Sequence, residues 1–155
     1  MGYEIRIVKA AIDVNAERPA QAVAKLEHLL GDLNGRTIGL LGLAFKPNTD
    51  DVRESPAVRI ARVLREKGAR VRGYDPVAMD RVRSMGPEIE LGKDPSALAT
   101  GADAVVLCTE WNEFRDLNLE RLKTLLRHPV LLDCRNIYDR ERMEAIGFRY
   151  ECFGR

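Results

Sequence analysis

Residues 37–41, Thr-Ile-Gly-Leu-Leu, run directly into residues 42–56, Gly-Leu-Ala-Phe-Lys-Pro-Asn-Thr-Asp-Asp-Val-Arg-Glu-Ser-Pro. The first five residues form an apolar run with strand character. The longer stretch is polar, turn-rich and charged. It ends at a helix pattern over Pro56–Lys67, with Ala57, Ile60, Ala61 and Leu64 on one face and Arg59, Arg62 and Arg65 off it. Ser55 suits an N-cap, Pro56 a first helical turn and Gly68 a C-terminal stop. Strand, loop, helix in this order is the opening unit of an α/β sheet. In such sheets ligands bind at loops leaving the carboxyl ends of strands. This loop carries Phe45, Lys46, Arg53 and a helix start, a set of groups suited to a phosphorylated ligand.

Outward from this unit the pattern repeats. Strand-like runs recur at Arg70–Tyr74, Ala104–Cys108 and Val130–Asp133, with weaker ones at Glu88–Leu91 and Arg149–Cys152. Helical segments fall between them. This alternation predicts a parallel sheet covered on both faces, an α/β fold in three layers. Before it, residues from about Ile5 to Leu30 read as helix. Ile7, Ala10, Ala11 and Val14 make one apolar stripe, and Ala22, Val23, Leu26, Leu29 and Leu30 make another. Pro19 lies between the stripes and predicts a kink or break, because it lacks a backbone donor and crowds the preceding turn. Gly31 and Asn34-Gly35 turn the chain. The organisation expected is a helical arm over 1–34 and an α/β domain over 35–155.

With 155 residues, 45% hydrophobic and 32% charged, the chain has material for one domain with a sizeable core. A net charge of +1 gives no sign of a nucleic-acid partner. Cys108, Cys134 and Cys152 are odd in number and show no C-x-x-C spacing, which supports neither a disulfide framework nor a zinc site. They read as buried thiols in a reducing compartment. No secretory leader, myristoylation pattern or membrane-length apolar run is evident in the sequence. A soluble cytoplasmic protein with no membrane partner is the expectation.

Each candidate site residue has a plain alternative. Lys46 suits a phosphate and Phe45 a ring, or they are a solvated lysine beside a core phenylalanine. Arg53 suits an anion at a helix start, or it pairs with Asp50 or Asp51. Arg135, after Val130–Asp133, falls at the same sheet edge as Lys46. Two cations converging there suit a diphosphate, although Arg135 could instead pair with Asp133 or Asp139. Asp75 ends the second strand, where dinucleotide folds place a ribose-binding acid, but Asp75-Pro76 reads better as a turn. The glycines of Gly39-Leu-Leu-Gly42-Leu-Ala44 make only a decayed dinucleotide fingerprint, since a long loop intervenes before the helix. Trp111 and Phe114 read as packing residues. No metal ligand set and no catalytic residue emerges.

The stretch Gly42–Pro56 resembles the signature of the C-terminal domain of UDP-glucose 6-dehydrogenases. The segments Val71–Pro76, Thr109–Phe114 and Asp133–Tyr138 and the closing Gly154-Arg155 are similar to that family in the same order. The arm around Val14-Asn15 resembles the tail of its central helix. The resemblance spans essentially the whole chain, and Pro47-Asn48-Thr49-Asp50-Asp51 favours UDP-glucose over GDP-mannose or N-acetylmannosamine relatives. It implies a Rossmann-like fold, UDP or UDP-glucose as ligand and NAD as cofactor of the intact enzyme. Phe45, Lys46 and Arg135 would contact the UDP-sugar, Arg53 would reach NAD, and a homodimer would form through the N-terminal helix. The NAD-binding domain and the catalytic cysteine, which carries the reacting carbon through a thiohemiacetal and a thioester, have no counterpart in this sequence. Cys134 stands where the family often has glycine, and Pro19 is unexpected in the central helix.

Two other readings compete: a related nucleotide-sugar dehydrogenase, and a free-standing flavodoxin-like regulatory module. A receiver-type switch would need an acidic pair after its first strand and a phosphoacceptor aspartate after its third. Here the first strand ends in Gly-Leu-Ala-Phe-Lys. A helix-mediated assembly domain with a vestigial pocket is a further alternative.

Overall fold

A computed structural model describes residues 5–86 and 88–154. The described residues begin with α1 (Arg6–Leu30), then β1 (Thr37–Leu41), α2 (Pro56–Glu66) and β2 (Arg70–Tyr74). Then come α3 (Met79–Met85), β3 (Glu90–Leu91), α4 (Pro95–Ala99) and β4 (Ala104–Leu107). The chain continues through α5 (Asn112–Arg115), α6 (Leu119–Leu125), β5 (Val130–Asp133), α7 (Arg140–Ile146) and β6 (Arg149–Cys152). The strands form one six-stranded sheet in the order β3-β2-β1-β4-β5-β6, with every pairing parallel. That is the doubly wound order, and it reverses direction between β1 and β4. The expected α/β sheet with helices on both faces is present, and it is Rossmann-like.

The apolar runs are central because both of their faces are covered. Residues 37–41, 104–107 and 130–133 are buried throughout. The flanking β2 and β6 alternate buried with more exposed positions, as strands nearer an edge do. Crossovers in a parallel sheet are right-handed, so winding in opposite directions from the switch places α2 on one face and α6 on the other. Helix α4 packs against α6, β1 and β2. Gly39 makes room for it, since a Cβ there would lie 2.4 Å from a methyl of Leu98.

Two sequence expectations change. Helix α1 runs from Arg6 to Leu30 without a break at Pro19. Its second half is not a free arm, because it packs on α2 and β5 and buries Pro19, Ala22, Val23 and Leu26. Tertiary burial of this turn outweighs the hydrogen bond that proline cannot make. Helix α1 is therefore one of the helices that cover the sheet. The first half behaves differently: Ile5, Ile7, Val8, Ile12 and Val14 are exposed, Ile7 to 83%. The second change is at Ser55. It occupies the N-cap position of α2, but its hydroxyl makes no cap bond there. It donates instead to the carbonyl of Leu43 at 2.7 Å and ties the start of the long loop to its end.

Candidate functional site

The loop over residues 42–55 is shaped by a buried carboxylate. Asp75, only 1% exposed at the end of β2, accepts from the backbone N–H groups of Leu43 (2.7 Å) and Ala44 (2.9 Å). It also accepts from Val77 N (2.9 Å), Ala78 N (2.8 Å) and the Trp111 indole N–H (3.1 Å). Five donors satisfy a charge that would otherwise be very costly to bury. The turn reading of Asp75 holds, and the residue does more than turn the chain, because it fixes the path of the loop. Trp111 packs, with its polar tip on Asp75. Gly42 is required for the same approach: its φ is 88°, and a Cβ would sit 2.5 Å from that of Thr109. Thr109 in turn donates to the Ala44 carbonyl at 2.7 Å.

This arrangement settles how the β1 turn relates to a dinucleotide. The amides of Leu43 and Ala44 lie where a fingerprint would offer them to a pyrophosphate, but Asp75 has taken both. The acid that would hold a ribose is spent on the same bonds, and α2 starts only at Pro56. NAD does not fit this turn.

A cavity of about 890 Å³ opens at the carboxyl edge of the sheet, bounded by the strand-end loops and α1. Phe45 and Lys46 line it after β1, Cys108 after β4, Cys134 and Arg135 after β5, and Phe153 after β6. Lys46 and Arg135 thus share one crevice, as their positions after parallel strands require. Among the described residues that line it, Arg18, Lys46, Arg59 and Arg135 face a single carboxylate, Glu54. Glu54 is paired with Arg59. Lys46 has no ion-pair or hydrogen-bond partner among the described residues. Phe45 is 49% exposed, a large apolar ring left open at the mouth. The core-phenylalanine alternative is therefore excluded by its exposure.

Arg135 has a partner that the sequence reading missed. Its Nε and Nη2 bind the Glu110 carboxylate at 2.5 and 2.8 Å, in a two-pronged pair. The bond to Arg135 holds the Glu110 carboxyl below its ordinary range, and the same bond raises the guanidinium further. Glu110 is 25 residues distant and comes alongside only because β4 and β5 are neighbours. Of the two partners considered from sequence, Asp139 accepts from the Arg142 N–H, and Asp133 accepts from the backbone of Arg135, Ile137 and Tyr138 and from the Tyr150 hydroxyl. It builds the turn that presents Arg135.

Arg53 lies outside the cavity. It grips Asp51 through Nε and Nη2, each at 3.0 Å, and is 89% exposed. The side-chain bond from Arg53 pulls the Asp51 carboxyl down to about 2. Asp50 binds Arg81 at 3.0 Å, so both aspartates hold arginines.

Cys108 and Cys134 are not activated. Burial pushes the Cys108 thiol well above its usual value and raises Cys134 to about 12, with the Asp133 charge adding to the latter. Cys108 and Cys152 are buried, whereas Cys134 is partly exposed in the cavity, contrary to the reading of three buried thiols. Its position at a strand end, where the crevice opens, explains the difference. Arg155 of the closing Gly154-Arg155 lies outside the described residues.

The fold and this crevice define a class of doubly wound α/β domain with a cation-lined pocket at its switch point. Residues 39–140 match the UDP-glucose/GDP-mannose dehydrogenase family, UDP binding domain, and the chain belongs to that family. It is 43% identical over 152 residues to the UDP-glucose 6-dehydrogenase of Rhizobium meliloti (strain 1021), covering 97% of this chain and 35% of that protein. The structure of a UDP-glucose dehydrogenase from Pyrobaculum islandicum superposes with a TM-score of 0.82 at 41% identity, over 97% of this chain and 32% of that one. A UDP-D-ManNAc dehydrogenase from Pyrococcus horikoshii gives 0.83 at 29% identity, over 99% and 34%. The chain thus spans about a third of the length of these relatives. Among the described residues, no helix is long and apolar enough to cross a membrane.

Proposed function

We propose that this chain is the UDP-sugar-binding part of an NAD-dependent UDP-glucose 6-dehydrogenase, working in the cytoplasm on the oxidation of UDP-glucose to UDP-glucuronate. The observation that carries the reading is the cation-lined cavity, in which Lys46 and Arg135 reach one crevice from the ends of β1 and β5. Its volume suits a nucleotide sugar. Lys46 and Arg135 hold the diphosphate, and Phe45 packs against the ligand at the mouth. Glu110 keeps Arg135 aimed, which saves ordering entropy on binding. Arg53, turned outward on a loop fixed by Asp75, reaches NAD held by another domain. Residues 35–155 act as the binding domain and residues 1–34 as the arm that joins it to the rest of the enzyme.

In this reading the chain's contribution is to bind and orient. Holding the nucleotide end fixes where the sugar carbon lies relative to a nucleophile elsewhere, and that positioning lowers the barrier to reaction. Neither Cys108 nor Cys134 is suited to attack, since burial favours their protonated forms. The exposed apolar stripe of α1, from Ile5 to Val14, serves as a homodimer surface. Calorimetry on the 155-residue chain with UDP, UDP-glucose and GDP-mannose tests the proposal. Binding of the two uracil ligands, with GDP-mannose weaker, is expected. Binding of none of the three, or preference for GDP-mannose, would reject it.

A further inference from the structure

The helical wall of the crevice carries a cation of its own. Along α1, Asn15, Pro19 and Ala22 follow helical spacing and line the cavity, and Arg18 lies beside them on the same face. The Arg18 guanidinium carbon sits 4.9 Å from the centroid of the Phe153 ring. Lys25 also approaches that ring, at 5.4 Å, but it has a carboxylate partner in Glu151 at 3.5 Å. Arg18 has none among the described residues.

The ring that carries Arg18 is held by the site itself. Asn136, next to Arg135, donates through Nδ2 to the Phe153 carbonyl at 2.7 Å and accepts from the Phe153 N–H at 3.3 Å. Asn136 holds a left-handed φ of 57° to do so. Asparagine adopts this conformation more readily than other side chains that carry a Cβ. One turn therefore presents Arg135 directly and fixes Phe153 beneath Arg18. A guanidinium resting on an aromatic ring keeps its N–H groups for acceptors, because the ring occupies none of its five donors. The field of Arg18 also reaches the cavity floor, where it acts with Lys25 to oppose the upward shift of the Cys134 thiol.

We propose that Arg18 is a third cation on the phosphates of the bound nucleoside diphosphate, meeting from α1 the anion that Lys46 and Arg135 meet from the sheet edge. This rests on the UDP-sugar reading above. The arm then completes the binding site as well as linking it to other parts of the enzyme. Docking of α1 and binding of a diphosphate become coupled, since only the docked helix brings Arg18 to the ligand.

The test is calorimetry of UDP binding to the full chain as wild type, Arg18→Met, Arg18→Lys and Lys46→Ala, with thermal unfolding of each unliganded protein. Methionine keeps an apolar stem against Phe153 and removes the charge. Arg18→Met should weaken UDP at least about tenfold, the loss of one charge-assisted contact. Its unliganded unfolding temperature should be unchanged, and Arg18→Lys should recover most of the affinity. Wild-type affinity in Arg18→Met alongside a loss in Lys46→Ala would overturn the role of Arg18 and leave the UDP-sugar reading standing. Equal losses in the Met and Lys variants, or a fall in unfolding temperature matching the lost affinity, would reduce Arg18 to packing on Phe153. A wild-type chain that binds no UDP would remove both.

Discussion

Single residues here do work that their sequence neighbourhood only partly announces. Lys46 and Arg135 are two cations of one crevice, and their removal should be costly to an anionic ligand. We expect Lys46→Ala and Arg135→Ala each to weaken UDP binding by about 1.5–3 kcal/mol, as for hydrogen bonds to charged groups. Titration showing wild-type affinity in both would refute the clamp. Asp75 is the more general control. Asparagine there leaves one oxygen for a cluster of donors that now use both, and it adds an N–H₂ against them. Asp75→Asn should lower stability by about 3 kcal/mol in urea unfolding, the range for spoiling a buried, fully bonded carboxylate. UDP affinity should fall with it, because the Lys46 loop loses its anchor. The thiols give a pH test. Burial, with the Asp133 charge, pushes the Cys134 thiol up to about 12 in the fold, above its unfolded value near 8.5, so its neutral form is favoured. The stability this contributes is present below about pH 8.5 and is lost as pH rises toward 12. Alkylation of Cys134 by iodoacetamide at pH 8 should therefore run far slower than that of a free cysteine. A rate equal to the free thiol would contradict the burial argument.

At the scale of elements, α1 has two halves with different physics. From Pro19 to Leu26 it is core, and Leu26 is fully buried against the sheet. Leu26→Ala should cost about 2–5 kcal/mol, the transfer loss plus the cavity left behind. From Ile5 to Val14 the helix exposes large apolar side chains with nothing over them among the described residues. Replacing Ile7 and Ile12 with serine should leave the unfolding free energy of the monomer unchanged within about 0.5 kcal/mol. The same change should convert a dimeric chain to monomer in sedimentation. A wild-type chain that sediments as a strict monomer at high concentration would dismiss the dimer surface. Pattern reading located the strands well, because full burial demands unbroken apolar runs. At Pro19 local propensity speaks for a break, and tertiary packing carries the helix through it.

For the molecule as a whole, the order β3-β2-β1-β4-β5-β6 places a switch between β1 and β4. The crevice opens at that carboxyl edge, as open α/β sheets require. The sheet and the chemistry of its rim belong to this chain, but an activated nucleophile does not appear among the described residues. The purified chain should therefore produce no NADH from UDP-glucose and NAD. Measurable turnover would show that a thiol or a second site has been misread.

The class of fold, the places where strands end and the identity of the cations at those ends are all legible along the chain. These follow from burial, which writes itself as apolar runs, and from the rule that parallel strands deliver their next loops to one edge. The partners are set by packing in three dimensions. Glu110 meets Arg135, Asp75 gathers the amides of the β1 loop, and Ser55 ties to Leu43 instead of capping α2. Arg18 reaches the crevice through Phe153, and Arg53 turns outward onto Asp51. Each of these depends on which strand lies beside which and on which face a helix buries. A polar side chain carries no periodic signal of its partner, because its bond is set by a distance in space between residues that lie far apart along the chain.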